Sequence, residues 1–101
     1  MELGKPESAV STFEELLEKK SNYQQVYYFL GEAHDQLGRF EETHYYLGIY
    51  FRNKGDLKNA AFHLKKASAN INDPDKKRNI EKMLEEIRKA EQHRARKNTK
   101  S

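Results

Sequence analysis

With 101 residues the chain has room for one domain or a piece of one. Hydrophobic residues make up 36% and charged residues 35%, enough for a modest core, and the absence of cysteine excludes a disulfide framework and any thiolate metal site. The net charge of +3 belongs to the end of the chain: Arg94, Arg96, Lys97 and Lys100 supply four positive charges within residues 92–101, which hold no acid, so the first 91 residues sum to −1.

No run of about 18 apolar residues exists to span a membrane as a helix. The N-terminus lacks the charged, apolar and small-residue succession of a signal peptide. The chain opens instead on a turn phrase, LGKPESA at residues 3–9. Nearly the same phrase returns as LGRFEET at 37–43 and KGDLKNA at 54–60. Gly4 and Gly38 are 34 residues apart, and Gly38 and Gly55 are 17 apart. In each phrase the glycine can take the positive φ that closes a helix. The polar residue after it (Lys5, Arg39 or Asp56) bridges the corner. A small residue follows five positions after the glycine (Ala9, Thr43, Ala60) and lets two helices approach closely. An apolar residue four further on (Phe13, Leu47, Leu64) lies on the same helical face.

Five helices are predicted. The first runs from about Pro6 to Lys19, with Pro6 suited to a first turn and Ala9, Val10, Phe13, Leu16 and Leu17 inward. The second runs from about Tyr23 to Leu37, with Val26, Tyr27, Leu30, Ala33 and Leu37 inward. The third runs from about Phe40 to Arg52 and buries Thr43, Leu47, Tyr50 and Phe51. The fourth runs from about Leu57 to Ala69 and buries Ala60, Ala61, Leu64 and Ala67. The fifth begins at NDPDKK, where Asp73 can cap and Pro74 can take the first helical position. It carries Ile80, Met83, Leu84, Ile87 and Ala90, and is expected to end near residue 91 in a basic disordered tail, residues 92–101. No segment alternates with period two, so no strand is expected.

A helix-sized step repeated at 17 and 34 residues, with these turn residues, resembles the tetratricopeptide repeat. In YYFLGEAHDQLGRFEETHYYL, Leu30 and Gly31 match the family's Leu-Gly pair, Gly38, Phe40 and Thr43 match its turn and small residue, and His34 stands where an aromatic is usual. LGIYFRNKGDLKNAAFHLKKASANINDP matches through Leu47, Gly48, Phe51, Gly55, Leu57, Ala60, Leu64, Ala67 and Pro74. The two matches share the third helix, which breaks strict 34-residue phasing. The resemblance implies an all-α, antiparallel helix–turn–helix solenoid of about five helices that acts as a protein–protein interaction scaffold. A narrower resemblance lies in HYYLGIYFRNKGDLKNAAFHLKKA, which is similar to the C-terminal repeat region of BepA-like periplasmic zinc metalloproteases. It implies a non-catalytic domain of a larger, periplasmic protein whose HExxH catalytic domain lies outside this sequence, and that catalytic domain is itself one candidate partner.

All six tyrosines fall between Tyr23 and Tyr50, more than one narrow stripe can hide. Tyrosine favours interfaces because it adds contact area with a polar tip. The repeat register implies a partner-binding groove from Tyr28, Glu32 and Asp35 of the second helix, with Tyr45, Ile49 and Arg52 of the third beside them. The family's carboxylate-clamping groove uses Lys and Asn where Tyr28 and Glu32 stand, so binding of chaperone tails is not expected.

Catalysis by this chain is not expected. Its glycines are single turn or packing residues rather than a phosphate loop, and EELLEKK and EKMLEEIRK read as solvated helix faces with pairs such as Glu85–Lys89. His34, His44, His63 and His93 are scattered, no two at the spacing of one helical turn, so no metal site and no cofactor are expected. Two other functions compete with protein docking: nucleic-acid binding by the basic tail, which is the weaker reading, and homo-oligomerisation through uncapped end helices.

Overall fold

The computed structural model describes residues 5–20 and 23–99, the last three by backbone alone. The Leu3–Gly4 phrase lies outside the described residues. The chain forms α1 (Pro6–Lys19), α2 (Gln24–Gln36), α3 (Phe40–Asn53), α4 (Leu57–Asn70) and α5 (Pro74–Thr99), with no strand among the described residues. The fold is all-α.

The turns form for the reason the repeated phrase implies. Gly38 and Gly55 have φ of 73° and 83°. After α2, Arg39 N–H donates to His34 O at 2.9 Å and Gly38 N–H to Asp35 O at 3.0 Å. After α3, Asp56 N–H donates to Phe51 O at 2.9 Å and Gly55 N–H to Arg52 O at 3.0 Å. Both ends are thus Schellman motifs, which pair carbonyls that a helix terminus otherwise leaves open. Asp56 then caps α4, accepting from Asn59 N–H at 3.3 Å, and Asp73 caps the start of α5, accepting from Asp75 N–H at 2.9 Å.

Consecutive helices pack on one another, and α3 sits at the centre, its longest interfaces being with α2 and α4. The core consists of Val10, Val26, Leu30, Ala33, Tyr45, Tyr46, Ile49, Ala60, Leu64, Ala67, Ile71, Ile80, Met83 and Ile87. One packing device is used twice, one helix apart. A Cβ on Gly31 would stand 3.0 Å from Leu47 Cγ, and a Cβ on Gly48 would stand 2.6 Å from Leu64 Cδ2. Each glycine lets the leucine of the next helix come down onto backbone.

The phasing differs from the sequence expectation. Helices α1, α3 and α5 begin at Pro6, Phe40 and Pro74, each 34 residues after the last. Three side-chain contacts join α3 to α5 at that same separation: Glu42 with Lys76, Tyr45 with Asn79 and Arg52 with Glu86. Helices α3 and α5 therefore lie side by side in that register, while α2 and α4 begin 33 residues apart, at Gln24 and Leu57. Leu30–Gly31 of α2 copies the Leu47–Gly48 pair because glycine-under-leucine packing recurs at every α2–α3 and α3–α4 step.

The end of the chain also differs. α5 does not stop near residue 91 but continues to Thr99. No glycine or proline follows Pro74, and Glu, Gln, Arg, Ala and Lys all favour the helix. Its packed face ends at Ile87, with residues 88–96 exposed, so this last part is helix without a core to rest on.

Candidate functional site

The six residues placed in one groove by the repeat register divide between two sides of α3. Tyr28, Glu32 and Asp35 come together in a cleft of about 440 Å³ between α2 and α3, floored by Gly31, Thr43 and Leu47. The neighbouring Glu32 carboxylate raises the Tyr28 phenol above its ordinary pKa. Tyr45 and Arg52 meet α5 instead, and Ile49 lies in the core. Tyr45 and Ile49 are buried, the Tyr45 hydroxyl accepts from Asn79 Nδ2 at 2.8 Å, and Arg52 pairs with Glu86 at 3.0 Å. The sequence-based stripe for α3 was too narrow because this helix is covered from three directions. Thr43, Tyr46, Leu47 and Tyr50 meet α2, His44 and Phe51 meet α4, and Glu42, Tyr45 and Arg52 meet α5.

A second cleft, of about 530 Å³, opens beside the first, lined by Phe13, Leu16, Val26, Phe29, Tyr50 and Lys54 among others. Its walls are more apolar than those of the Tyr28 cleft. Aromatic contacts join the two. Phe13 stacks on Phe29 with centroids 5.7 Å apart, Phe29 meets the edge of Tyr28 at 5.9 Å, and Tyr28 leans on Tyr50 at 5.3 Å. Lys54 closes the far end, donating to the Tyr50 hydroxyl at 3.1 Å with its Nζ 5.1 Å from the ring centroid. The result is an aromatic ledge with apolar space at one end and the carboxylates Glu32 and Asp35 at the other. The sequence reading found Tyr28, Glu32 and Asp35 but missed Phe13, Phe29 and Tyr50 as a surface. Phe13 packs against the core as its periodicity implies, and Phe13, Phe29 and Tyr50 are each only partly buried, so their rings also form this surface.

Two features concern the histidines. His34 is buried at 4% exposure, stacks on Tyr46 at 5.5 Å, and neither ring nitrogen has a hydrogen-bond partner in the protein. Burial pulls its pKa down to about 4, with Lys76 and Arg39 acting in the same sense and Glu42 against it. It fills an aromatic packing position, the role its place in the sequence implied. His44 and His63 are not scattered in space: their Nδ1 atoms lie 2.9 Å apart across the α3–α4 interface. Spacing along one helix could not show this pair, since 19 residues and a turn separate its members.

The opposite face is basic. Lys76, Arg78 and Lys82 of α5, with Asp75 and Asn79, line a shallow recess against Tyr45. Lys76 donates to Glu42 at 2.8 Å and lies over the rings of Tyr45 and Tyr46, 5.4 Å from each centroid. Burial pulls the Lys76 pKa down, but the Glu42 carboxylate outweighs it and the net shift is upward. This lysine is committed to joining α5 to α3.

No family model, curated protein or solved structure matches the chain. Among the described residues no group of three or more His, Cys, Asp or Glu converges as a metal centre, and no helix is long and apolar enough to cross a membrane.

Proposed function

We propose that this chain is a tetratricopeptide-type interaction module whose ligand is a protein segment lying along the aromatic ledge of α1, α2 and α3. The observation that carries the reading is the run of ring contacts Phe13–Phe29–Tyr28–Tyr50, which joins an apolar cleft to an acidic one. Rings held against each other lose little freedom on binding, so a segment docking there meets a preorganised surface. Its chemistry follows from the lining. An apolar side chain fits between Phe13, Leu16, Phe29 and Tyr50, and a lysine or arginine near it meets Glu32 and Asp35.

The 34-residue recurrence of the starts of α1, α3 and α5, with three α3–α5 contacts at the same separation, supports the solenoid reading. The resemblance of residues 44–67 to the repeat region of BepA-like zinc metalloproteases supports a place beside a catalytic domain. In that setting the module is non-catalytic, periplasmic, and guides substrates or restrains the protease.

The test is a photo-crosslinking residue at position 28 in the native host, with crosslinked proteins identified by mass spectrometry. A defined adduct is expected, and it should disappear in Glu32→Lys/Asp35→Lys. An adduct unchanged by that double substitution, or crosslinking at background level, removes the ledge as the docking site.

A further inference from the structure

We propose that the segment recognised by the aromatic ledge is dipolar: it carries an acidic side chain toward Lys54 and Lys20, an apolar one in the cleft between Phe13 and Tyr50, and a basic one at Glu32 and Asp35. The proposal rests on the docking reading above and adds to it a second charge, its sign and its place.

The charges that receive such a segment are not neutralised within the chain. Lys54 Nζ donates to the neutral Tyr50 hydroxyl at 3.1 Å and lies 5.1 Å from that ring's centroid. Lys20, just after α1, places its Nζ 5.5 Å from the centroid of the Tyr23 ring. Tyr23, Tyr50 and Lys54 all line the apolar cleft, so both ammoniums stand at its rim. Glu32 and Asp35 line the acidic cleft. Among the described residues none of Lys20, Lys54, Glu32 and Asp35 is held in a salt bridge, whereas Arg52, Lys76, Arg78 and Arg88 each are. An ammonium has three donors, and Tyr50 takes one from Lys54, so donors remain for an incoming carboxylate.

The rings set the order of the ligand's side chains. Tyr50 lines the apolar cleft and Tyr28 the acidic one, and their centroids are 5.3 Å apart, so the two clefts are neighbours along the ledge. Lys54 lies on the side of Tyr50 that belongs to the apolar cleft. In an extended segment alternate side chains face one surface, about 6.6 Å apart. An apolar side chain seated among Phe13, Leu16 and Phe29 then has a neighbour two positions away over the carboxylates, and one two positions the other way at the lysines. A segment with a base at each place gains at Glu32 and Asp35 and is repelled at Lys54. A segment with an acid at each place suffers the reverse. The dipolar segment alone meets the opposite sign at both ends, so the ledge selects by charge order as well as by apolar fit.

The test is fluorescence anisotropy of the full chain at low ionic strength, where exposed charges are least screened. The probes are labelled peptides built on Glu-Ser-Phe-Ser-Lys, made in both chain directions, with the tighter direction compared. The peptide with Glu is expected to bind at least about threefold tighter than the same peptide with Gln at that position, the size an exposed ion pair supplies, and the peptide with Lys there should be the weakest. Lys20→Glu/Lys54→Glu should invert that order. Equal binding of the three peptides overturns the dipolar ligand if Glu32→Lys/Asp35→Lys still weakens them, since the ledge itself then stands. A preference for Glu that survives Lys20→Glu/Lys54→Glu also overturns it. No binding of any peptide, or binding indifferent to Glu32→Lys/Asp35→Lys, overturns the ledge and this proposal with it. Should the lysine variant lose its helical melt, the three peptides on the native chain decide.

Discussion

Arg52 and Glu86 are 34 residues apart and meet at 3.0 Å, one of three contacts by which α5 rests on α3 in the same register. The three differ in exposure, and that sets their weight. The Lys76 and Glu42 side chains are only 24% and 25% exposed, whereas Arg88 and Glu85 of the i,i+3 pair on α5 are about half exposed. Glu42→Ala leaves an unmatched ammonium over two tyrosine rings and is expected to cost about 1–2 kcal/mol, between the surface and buried limits for ion pairs. Glu85→Ala is expected to leave the urea midpoint nearly unchanged, since the pair is solvent-exposed. Urea melts of the two variants give the comparison.

Glycine in a helix interior usually gains from replacement by alanine, by about 1 kcal/mol. Gly48 should not follow the rule. A methyl there meets Leu64, which is fully buried and has no room to withdraw. Gly48→Ala is therefore expected to destabilise by about 1–2 kcal/mol after the propensity gain is subtracted. At Gly31 the contact is looser, 3.0 Å, and Leu47 is only partly buried and can shift. Gly31→Ala is expected within about 0.5 kcal/mol of neutral, the overpacking and propensity contributions being opposed and similar. Thermal melts of both variants decide whether the two sites differ.

Stability should fall as pH drops below neutrality. His34 has a folded pKa of about 4 against 6.5 for the free side chain. Between those values the unfolded chain binds the proton and the folded chain refuses it, so stability is full above about pH 6.5 and declines toward pH 4. The loss from this residue alone approaches about 3 kcal/mol at roughly 1.4 kcal/mol per pKa unit. The lowered pKa values of His44 and His63 act in the same direction. The Asp56 and Glu85 carboxylates, whose pKa values are also lowered, contribute stability that is lost only in a more acidic range. His34→Phe keeps an aromatic in place and should remove most of the difference in melting temperature between pH 7 and pH 5. An unchanged difference assigns the acid sensitivity to other groups.

The Asp56 cap is a local device with a local effect. Its carboxylate accepts from Asn59 N–H at 3.3 Å and from Asn59 Nδ2 at 2.7 Å. Asp56→Ala is expected to lower the denaturation midpoint, and Asp56→Ser clearly less, because serine can still cap α4. Chemical denaturation of the two variants measures the difference.

The helices were legible in the sequence because their ends are set by short-range chemistry. Gly38, Gly55, Asp73 and Pro74 each act within one turn, and each sits where its residue type implies. The layer arrangement was not legible. Leu30–Gly31 and Leu47–Gly48 look alike because both glycines accept a leucine of the next helix, so the sequence pattern alone does not show which helices lie side by side. Tyr45 read as a groove residue because the contacts that cover it come from Lys76 and Asn79 of α5, more than 20 residues away in the chain. The tyrosines divide accordingly. Tyr45 and Tyr46 are buried, Tyr27, Tyr28 and Tyr50 are intermediate, and Tyr23 is exposed. His44 and His63 escaped notice because a contact across two helices leaves no periodic mark.

The central claim is that the ledge recognises an apolar side chain flanked by positive charge, and charge reversal tests it most directly. Binding of labelled peptides that carry one leucine or phenylalanine between basic or between acidic residues can be followed by fluorescence anisotropy. The native chain should hold the basic peptides and not the acidic ones, and Glu32→Lys/Asp35→Lys should reverse that preference while the helical melt is unchanged. Equal binding of both peptide classes, or a preference untouched by the reversal, contradicts the assignment of the ledge as the binding site.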